Sequence, residues 1–131
     1  MPCVLDSYAV LAHLYDEPAS TRVREILRDS ERGEPVYLST INLGEILYIT
    51  ERGKGVDAAS RALGAIDQLA LTQVDATRSR ALTAARIKAR VPISYADAFA
   101  VSTALEFDCP VVTGDPEFES VTDLIDIEWL R

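Results

Sequence analysis

The chain is short of the residues on which much enzyme chemistry depends. It has one histidine, two cysteines, one tryptophan and fewer basic than acidic side chains. The lone His13 stands among Val10, Leu11 and Leu14, a setting for helix packing or surface exposure rather than catalysis, so a Ser-His-Asp hydrolase has little to build on. No Gly-x-Ser-x-Gly elbow is there to present a serine. Gly53-Lys54-Gly55 lacks the upstream glycine and the following hydroxyl residue of a phosphate-cradling loop, and no Gly-x-Gly-x-x-Gly follows a strand. Cys3 and Cys109 belong to no spaced framework and are expected to be reduced, small and buried. Apolar runs fall far short of the ~20 residues that cross a bilayer. The first ten residues lack the basic segment of a secretory leader, so the expected location is the cytoplasm, away from any membrane. Repeats, low-complexity tracts and Gly/Ser linkers are absent.

What is present is an ordinary folded composition, 48% hydrophobic and 26% charged over 131 residues. That length suits one domain spanning 1–131, which removes roughly two thirds of its unfolded surface from water. With 13 Lys and Arg against 21 Asp and Glu, the formal charge of −8 argues against non-specific adhesion to nucleic acid or anionic membrane. The cations are clumped, Arg22, Arg24, Arg28 and Arg32 in one segment and Arg78, Arg80, Arg86, Lys88 and Arg90 in another. Such runs are ordinarily solvated helix faces; a phosphate-contacting surface is the sharper alternative.

Short apolar runs alternate with helical periodicity. Val4-Leu5, Val36 to Leu38, Leu69 to Val74, Pro110 to Thr113 and a weaker Ile125 to Trp129 read as strands. Between them lie helices: one capped by Asp6-Ser7, one with Pro18 in its first turn that Gly33 ends, one capped by Ser39 or Thr40 and stopped near Gly53 and Gly55, one with Ala58, Ala62, Leu63 and Ile66 inward, a basic one capped by Asp75, and an Ala-rich one over Tyr95 to Phe107. Continuous apolar strands separated by helices predict an α/β fold, a parallel sheet covered on both faces in three layers. Ligands of such sheets bind beyond the carboxyl ends of the strands.

Four carboxylates accompany these apolar runs: Asp6, Glu45, Asp97 and Asp115. Each has a plain structural role if taken alone. Asp6 before Ser7 suits an N-cap, Asp97 stands at capping-box distance from Ser94, and Asp115 between Gly114 and Pro116 suits a turn. Glu45 is harder to dismiss, because Ile41, Leu43, Ile46, Leu47 and Ile49 surround it and Asn42 shares its face three residues earlier. An ionised carboxylate enters apolar surroundings cheaply only where a cation or donors await it, so the four together point to a metal site.

The phrases Leu5-Asp6-Ser7-Tyr8-Ala9, Asn42-Leu43-Gly44-Glu45, Ser94-Tyr95-Ala96-Asp97-Ala98-Phe99 and Thr113-Gly114-Asp115-Pro116-Glu117-Phe118 resemble the PIN-domain ribonucleases, most closely the VapC toxins of toxin–antitoxin pairs. The likeness covers essentially the whole chain and implies a five-stranded parallel sheet flanked by helices. It also implies Mg²⁺ or Mn²⁺ held between acids matching Asp6, Glu45, Asp97 and Asp115, with Ser7 and Thr113 matching hydroxyls that assist and Asn42 in support. The implied activity is endoribonucleolytic cleavage of RNA; the implied partners are a second copy of the chain and a small antitoxin. An Arg or Lys of that antitoxin is expected to enter the carboxylate cluster and compete with metal. The apolar part of Ile41 to Ile49, with Tyr8, Tyr15 and Tyr48 expected to be exposed, is the expected dimer face.

Oxygen ligands suit hard divalent ions, which neutralise a phosphodiester and lower the pKa of a bound water. Two other classes share the acid logic. A receiver-like Mg²⁺-binding switch wants paired acids after the first strand and a late lysine, yet one acid follows Leu5 and no lysine follows Lys88. A flap-nuclease-like enzyme needs threading segments for which the chain has no room.

Overall fold

The computed structural model describes all of residues 1–131. Five strands form one sheet: β1 (Cys3–Leu5), β2 (Val36–Ser39), β3 (Thr72–Val74), β4 (Val111–Thr113) and β5 (Ile127–Trp129), in the order β3-β2-β1-β4-β5. Every pairing is parallel. Six helices, α1 (Ser7–Leu14), α2 (Ser20–Glu31), α3 (Thr40–Lys54), α4 (Val56–Asp67), α5 (Arg78–Arg90) and α6 (Tyr95–Phe107), are joined by a short 3₁₀ helix over Pro116–Val121. The expected α/β class and parallel sheet are what the chain adopts. A receiver-like sheet would instead run 2-1-3-4-5.

The all-apolar strands explain why both faces are covered. In β1, Cys3 and Leu5 point into a core with Val10, Val23, Ile46 and Ile66, while Val4 points the opposite way into a second core built on Ile87, Val101, Val111 and Phe118. Alternation along one strand therefore feeds two apolar layers. Ala98, Ala100 and Ala104 on α6 are fully or almost fully buried, as close approach to β1 and its neighbours requires.

Several local expectations shift. The third strand is shorter than Leu69 to Val74, because Leu69–Leu71 form a turn in which the Leu71 N–H donates to the Leu69 carbonyl at 2.9 Å. α5 starts at Arg78 with Thr77 as its cap, not Asp75; the Thr77 hydroxyl accepts from the Arg80 N–H at 3.3 Å, while the Asp75 carbonyl accepts from Thr77. Pro18 lies in the turn ahead of α2 rather than in its first turn, and Leu63 on α4 is exposed. Gly33 does follow α2, at a φ of +105° that favours glycine. Of the cysteines, Cys3 is buried with its thiol pushed up to about 12 by desolvation, while Cys109 is only half-buried; both are free. Tyr15 is half-buried too, its hydroxyl on Thr50 at 3.4 Å, so it is not the exposed aromatic expected; Tyr8 and Tyr48 are.

Candidate metal centre

The sheet order reverses direction at β1: β2 and β3 lie on one side, β4 and β5 on the other. Crevices at such switch points open beyond the strand carboxyl ends. Register decides what meets there. Leu5 pairs with Val112, which sets Asp6 level with Thr113 one residue on. The Thr113 hydroxyl donates to Asp6 Oδ2 at 2.5 Å, a charge-assisted distance, and accepts from the Asp115 N–H at 3.0 Å. The other Asp6 oxygen, Oδ1, accepts from the Ala9 N–H at 2.9 Å and so caps α1. Asp6 is thus an N-cap and a member of the acidic rim at once.

The opposite wall is made by α3 and α6. Asn42, fully buried, donates through Nδ2 to the Ser7 hydroxyl at 3.3 Å and to the Ala96 carbonyl at 3.2 Å, and the Ser7 hydroxyl donates to the Asn42 carbonyl. This pins α1, α3 and α6 together one turn before Glu45 and one residue before Asp97. Ser94 caps α6 by accepting from the Asp97 N–H at 3.1 Å, which directs Asp97 from the first turn. Asp115 accepts from the Glu117 N–H at 2.9 Å at the start of the 3₁₀ helix, whose Phe118 is fully buried. A Cβ at Gly114 would overlap the ring of Tyr8, so a larger residue there requires that exposed ring to move aside.

The carboxylates act on one another. Burial pushes Asp6 up to about 7, against the pull of its Thr113 and Ala9 hydrogen bonds, with the charges of Asp115 and Glu45 adding to the rise. Asp97 is likewise held well above the usual carboxylate range, first by burial, then by a hydrogen bond shared with Glu117 and by the charges of Asp115 and Asp6. Donor oxygens of Asp97, Asp115 and Glu117 lie within 4.8 Å of one another. None of the five acids has a Lys or Arg partner within ion-pair distance; the six ion pairs of the chain lie elsewhere. An oxygen-only donor set in which burial opposes the ionisation of Asp6 and Asp97, and which no Lys or Arg side chain neutralises, fits a hard divalent ion such as Mg²⁺ or Mn²⁺.

A family model for the PIN domain matches residues 3–124. The chain belongs to the PIN-domain family. A comparison with curated protein sequences finds no significant match. Among solved structures, VapBC2 of Rickettsia felis bound to a promoter DNA fragment superposes on this PIN chain with a TM-score of 0.79 at 15% identity, over 100% of both chains. DNA-bound VapBC of Salmonella typhimurium gives 0.75 at 23%, over 100% of this chain and 99% of that one. VapC20 of Mycobacterium tuberculosis, a sarcin–ricin loop cleaving toxin, gives 0.70 at 17%, over 91% and 94%. At these identities the likeness speaks for the PIN fold.

Of the residues singled out from sequence, Asp97 and Asp115 join the close cluster, Asp6 interacts with both, and Glu45 reaches the group through its charge on Asp6. Ser7, Asn42 and Thr113 supply the buried scaffold. Glu117 is the member that sequence reasoning missed. Its signal was faint: a second acid two residues past Asp115, brought round by the tight turn that Pro116 starts.

Thr113 offers a local test. Thr113→Val keeps the shape but leaves an Asp6 oxygen and the Asp115 N–H without their partner. It is expected to cost about 1–3 kcal/mol in urea denaturation and to weaken divalent-metal affinity by about 10–100-fold.

Proposed function

We propose that this PIN-domain chain is a divalent-metal-dependent endoribonuclease, the toxin of a toxin–antitoxin pair acting in the cytoplasm. The reading rests above all on the oxygen-only acidic cluster at the switch point of the sheet. Asp6 and Asp97 are the principal metal ligands in this reading, Asp115 and Glu45 complete the set directly or through water, and Glu117 joins Asp97 and Asp115. Bound Mg²⁺ or Mn²⁺ supplies charge neutralisation at the phosphodiester and a water acidified toward pH 7. Thr113 and the Ala9 N–H fix both oxygens of Asp6, so its orientation is set before substrate arrives. Asn42 and Ser7 hold the walls at fixed separation. Asp97, held above the usual carboxylate range in the metal-free state, would give up its proton on serving as a ligand.

The PIN-family resemblance and the VapBC likenesses support two partners for this reading: a second copy of the chain, and an antitoxin that brings a basic side chain to the carboxylates. Tyr8 and Tyr48, both exposed, and the exposed Ile49 suit such contacts. No helix is long and apolar enough to cross a membrane.

The test is cleavage of total and transfer RNA with Mg²⁺, Mn²⁺ or EDTA by the purified protein and by an Asp6→Asn variant prepared identically. Cutting that needs metal and disappears in the variant supports the assignment. Equal cutting by both proteins, or cutting that persists in EDTA, contradicts it.

A further inference from the structure

We infer that the outer face of α5 is the surface that carries the phosphate backbone of an RNA strand to the acidic site; this rests on the nuclease reading above. Five of the chain's 13 Lys and Arg, and none of its 21 Asp and Glu, lie on α5. In a protein of formal charge −8 this is a concentration of one sign on a single element. Ala84 and Ile87 turn one side of the helix to the core, and the exposed side opposite presents Arg78, Leu82, Arg86 and Arg90 at four-residue steps. At 1.5 Å of rise per residue the ridge runs about 18 Å.

Structural roles account for only part of this charge. Arg80 is half-buried and paired with Glu106 at 2.8 Å, and Lys88 donates to the Ile93 carbonyl at 2.8 Å. Lys88 and Arg90 in the last turn favour the helix dipole. Arg78 does the reverse: it opens the helix, where the dipole opposes a cation, and it has no carboxylate partner. Arg86 and Arg90 are also without ion pairs, although Asp123 lines the groove of about 370 Å³ beside them. Arg90 also donates to the Arg86 carbonyl at 2.9 Å, which leaves Arg78 and Arg86 as exposed, unpaired cations on a like-charged face, a cost that a polyanion would offset.

The ridge belongs to the helix that packs against α6, the element carrying Asp97. The Tyr95 hydroxyl donates to the Ala81 carbonyl at 3.2 Å, and Tyr95 stands two residues before Asp97. Lys88 ties the other end of α5 to Ile93, next to the cap of α6. A rim of carboxylates repels an approaching RNA strand wherever metal does not offset it, and nearby basic side chains favour that approach.

The test is anisotropy of a fluorescein-labelled, mixed-sequence single-stranded RNA in EDTA, where cutting is silent, from low to moderate salt. The proteins are wild type, Arg78→Ala/Arg86→Ala/Arg90→Ala, and a control, Arg28→Ala/Arg61→Ala, which removes exposed unpaired arginines from α2 and α4. Melting curves check that all three are folded. The expected result is at least tenfold weaker binding for the triple variant, with a salt slope flatter by about 2, roughly 0.7 per lost phosphate contact, and an unchanged control. Wild-type affinity and slope in the triple variant overturn the inference, as does no binding by wild type or an equal loss in the control. Metal-dependent cutting by wild type is scored on the same RNA: cutting without α5-dependent binding leaves the nuclease standing and the surface refuted. Binding through α5 with no cutting does the opposite.

Discussion

Asp97→Asn is expected to silence RNA cleavage and, in EDTA at pH 8, to melt above the wild type. The two effects have one cause. Asp97 is buried on the first turn of α6 beside Glu117, Asp115 and Asp6, and in the metal-free protein its ionisation is opposed from all three directions. An amide keeps the shape, leaves the Ser94 cap intact because that bond uses the Asp97 backbone, and can donate permanently to the Glu117 carboxylate. Removing a functional strain of this kind stabilises by about 0.5–2 kcal/mol, a rise of about 2–10 °C in a domain of this size. Activity moves the other way, because an amide is a poor ligand for a hard cation; a loss of about a hundredfold or more in kcat/KM, some 2.7 kcal/mol of barrier, is expected. Differential scanning calorimetry and RNA cleavage on the same preparations check both. A variant less stable than wild type in EDTA would mean that Asp97 serves the fold rather than a metal.

Metal-free wild-type protein is expected to lose stability as pH rises, and divalent metal to oppose that loss. Asp6 is raised from 3.8 to about 7, so between those values the native state keeps a proton that the unfolded chain has released. The stability this contributes is fully present below pH 3.8 and is lost as pH climbs through about 7. At 1.36 kcal/mol per tenfold change in proton affinity, Asp6 accounts for on the order of 4 kcal/mol across that window. Asp97, shifted in the same direction, adds to it. A metal at a hundred times its Kd returns about 2.7 kcal/mol, and does so increasingly at high pH, where the carboxylates are free to bind. Urea midpoints at pH 5 and pH 8, with Mg²⁺ and with EDTA, check the prediction. A gap between the Mg²⁺ and EDTA curves that is no wider at pH 8 than at pH 5 would contradict it.

The legible parts of this chain were those where one signal acts alone. Val4-Leu5 and Val111-Val112 read as buried parallel strands because nothing polar interrupts them, and Ser94 reads as a cap by its spacing to Asp97; of Ser39 and Thr40, the cap of α3 is Ser39. The third strand was overread because Leu69 and Leu71 pack against the core from a turn, and apolarity does not distinguish that from a strand. Asp75 suits a cap by residue type, but Thr77, two residues on, is the one whose hydroxyl serves α5. At the site, Asp6 reads singly as a cap, Asp97 as a capping-box residue and Asp115 as a turn residue; Asp6 does cap α1, and Asp115 caps the 3₁₀ helix. Their convergence depends on the Leu5–Val112 register and on the Asn42 bridge between α1, α3 and α6, neither of which a linear reading contains. Glu117 went unseen because only the 3₁₀ turn returns it to Asp97.

The most direct measurement is calorimetric titration of Mn²⁺ into the wild-type protein and Asp97→Asn at pH 6 and pH 9, each in two buffers of different ionisation enthalpy. If the acidic cluster is a metal centre, wild type binds Mn²⁺ and releases about one proton or more at pH 6, because ligands must shed their protons to bind. That release fades toward zero at pH 9, and Asp97→Asn binds far more weakly. Absence of binding in the wild type, or binding that is unchanged in the variant and independent of buffer, would contradict the assignment.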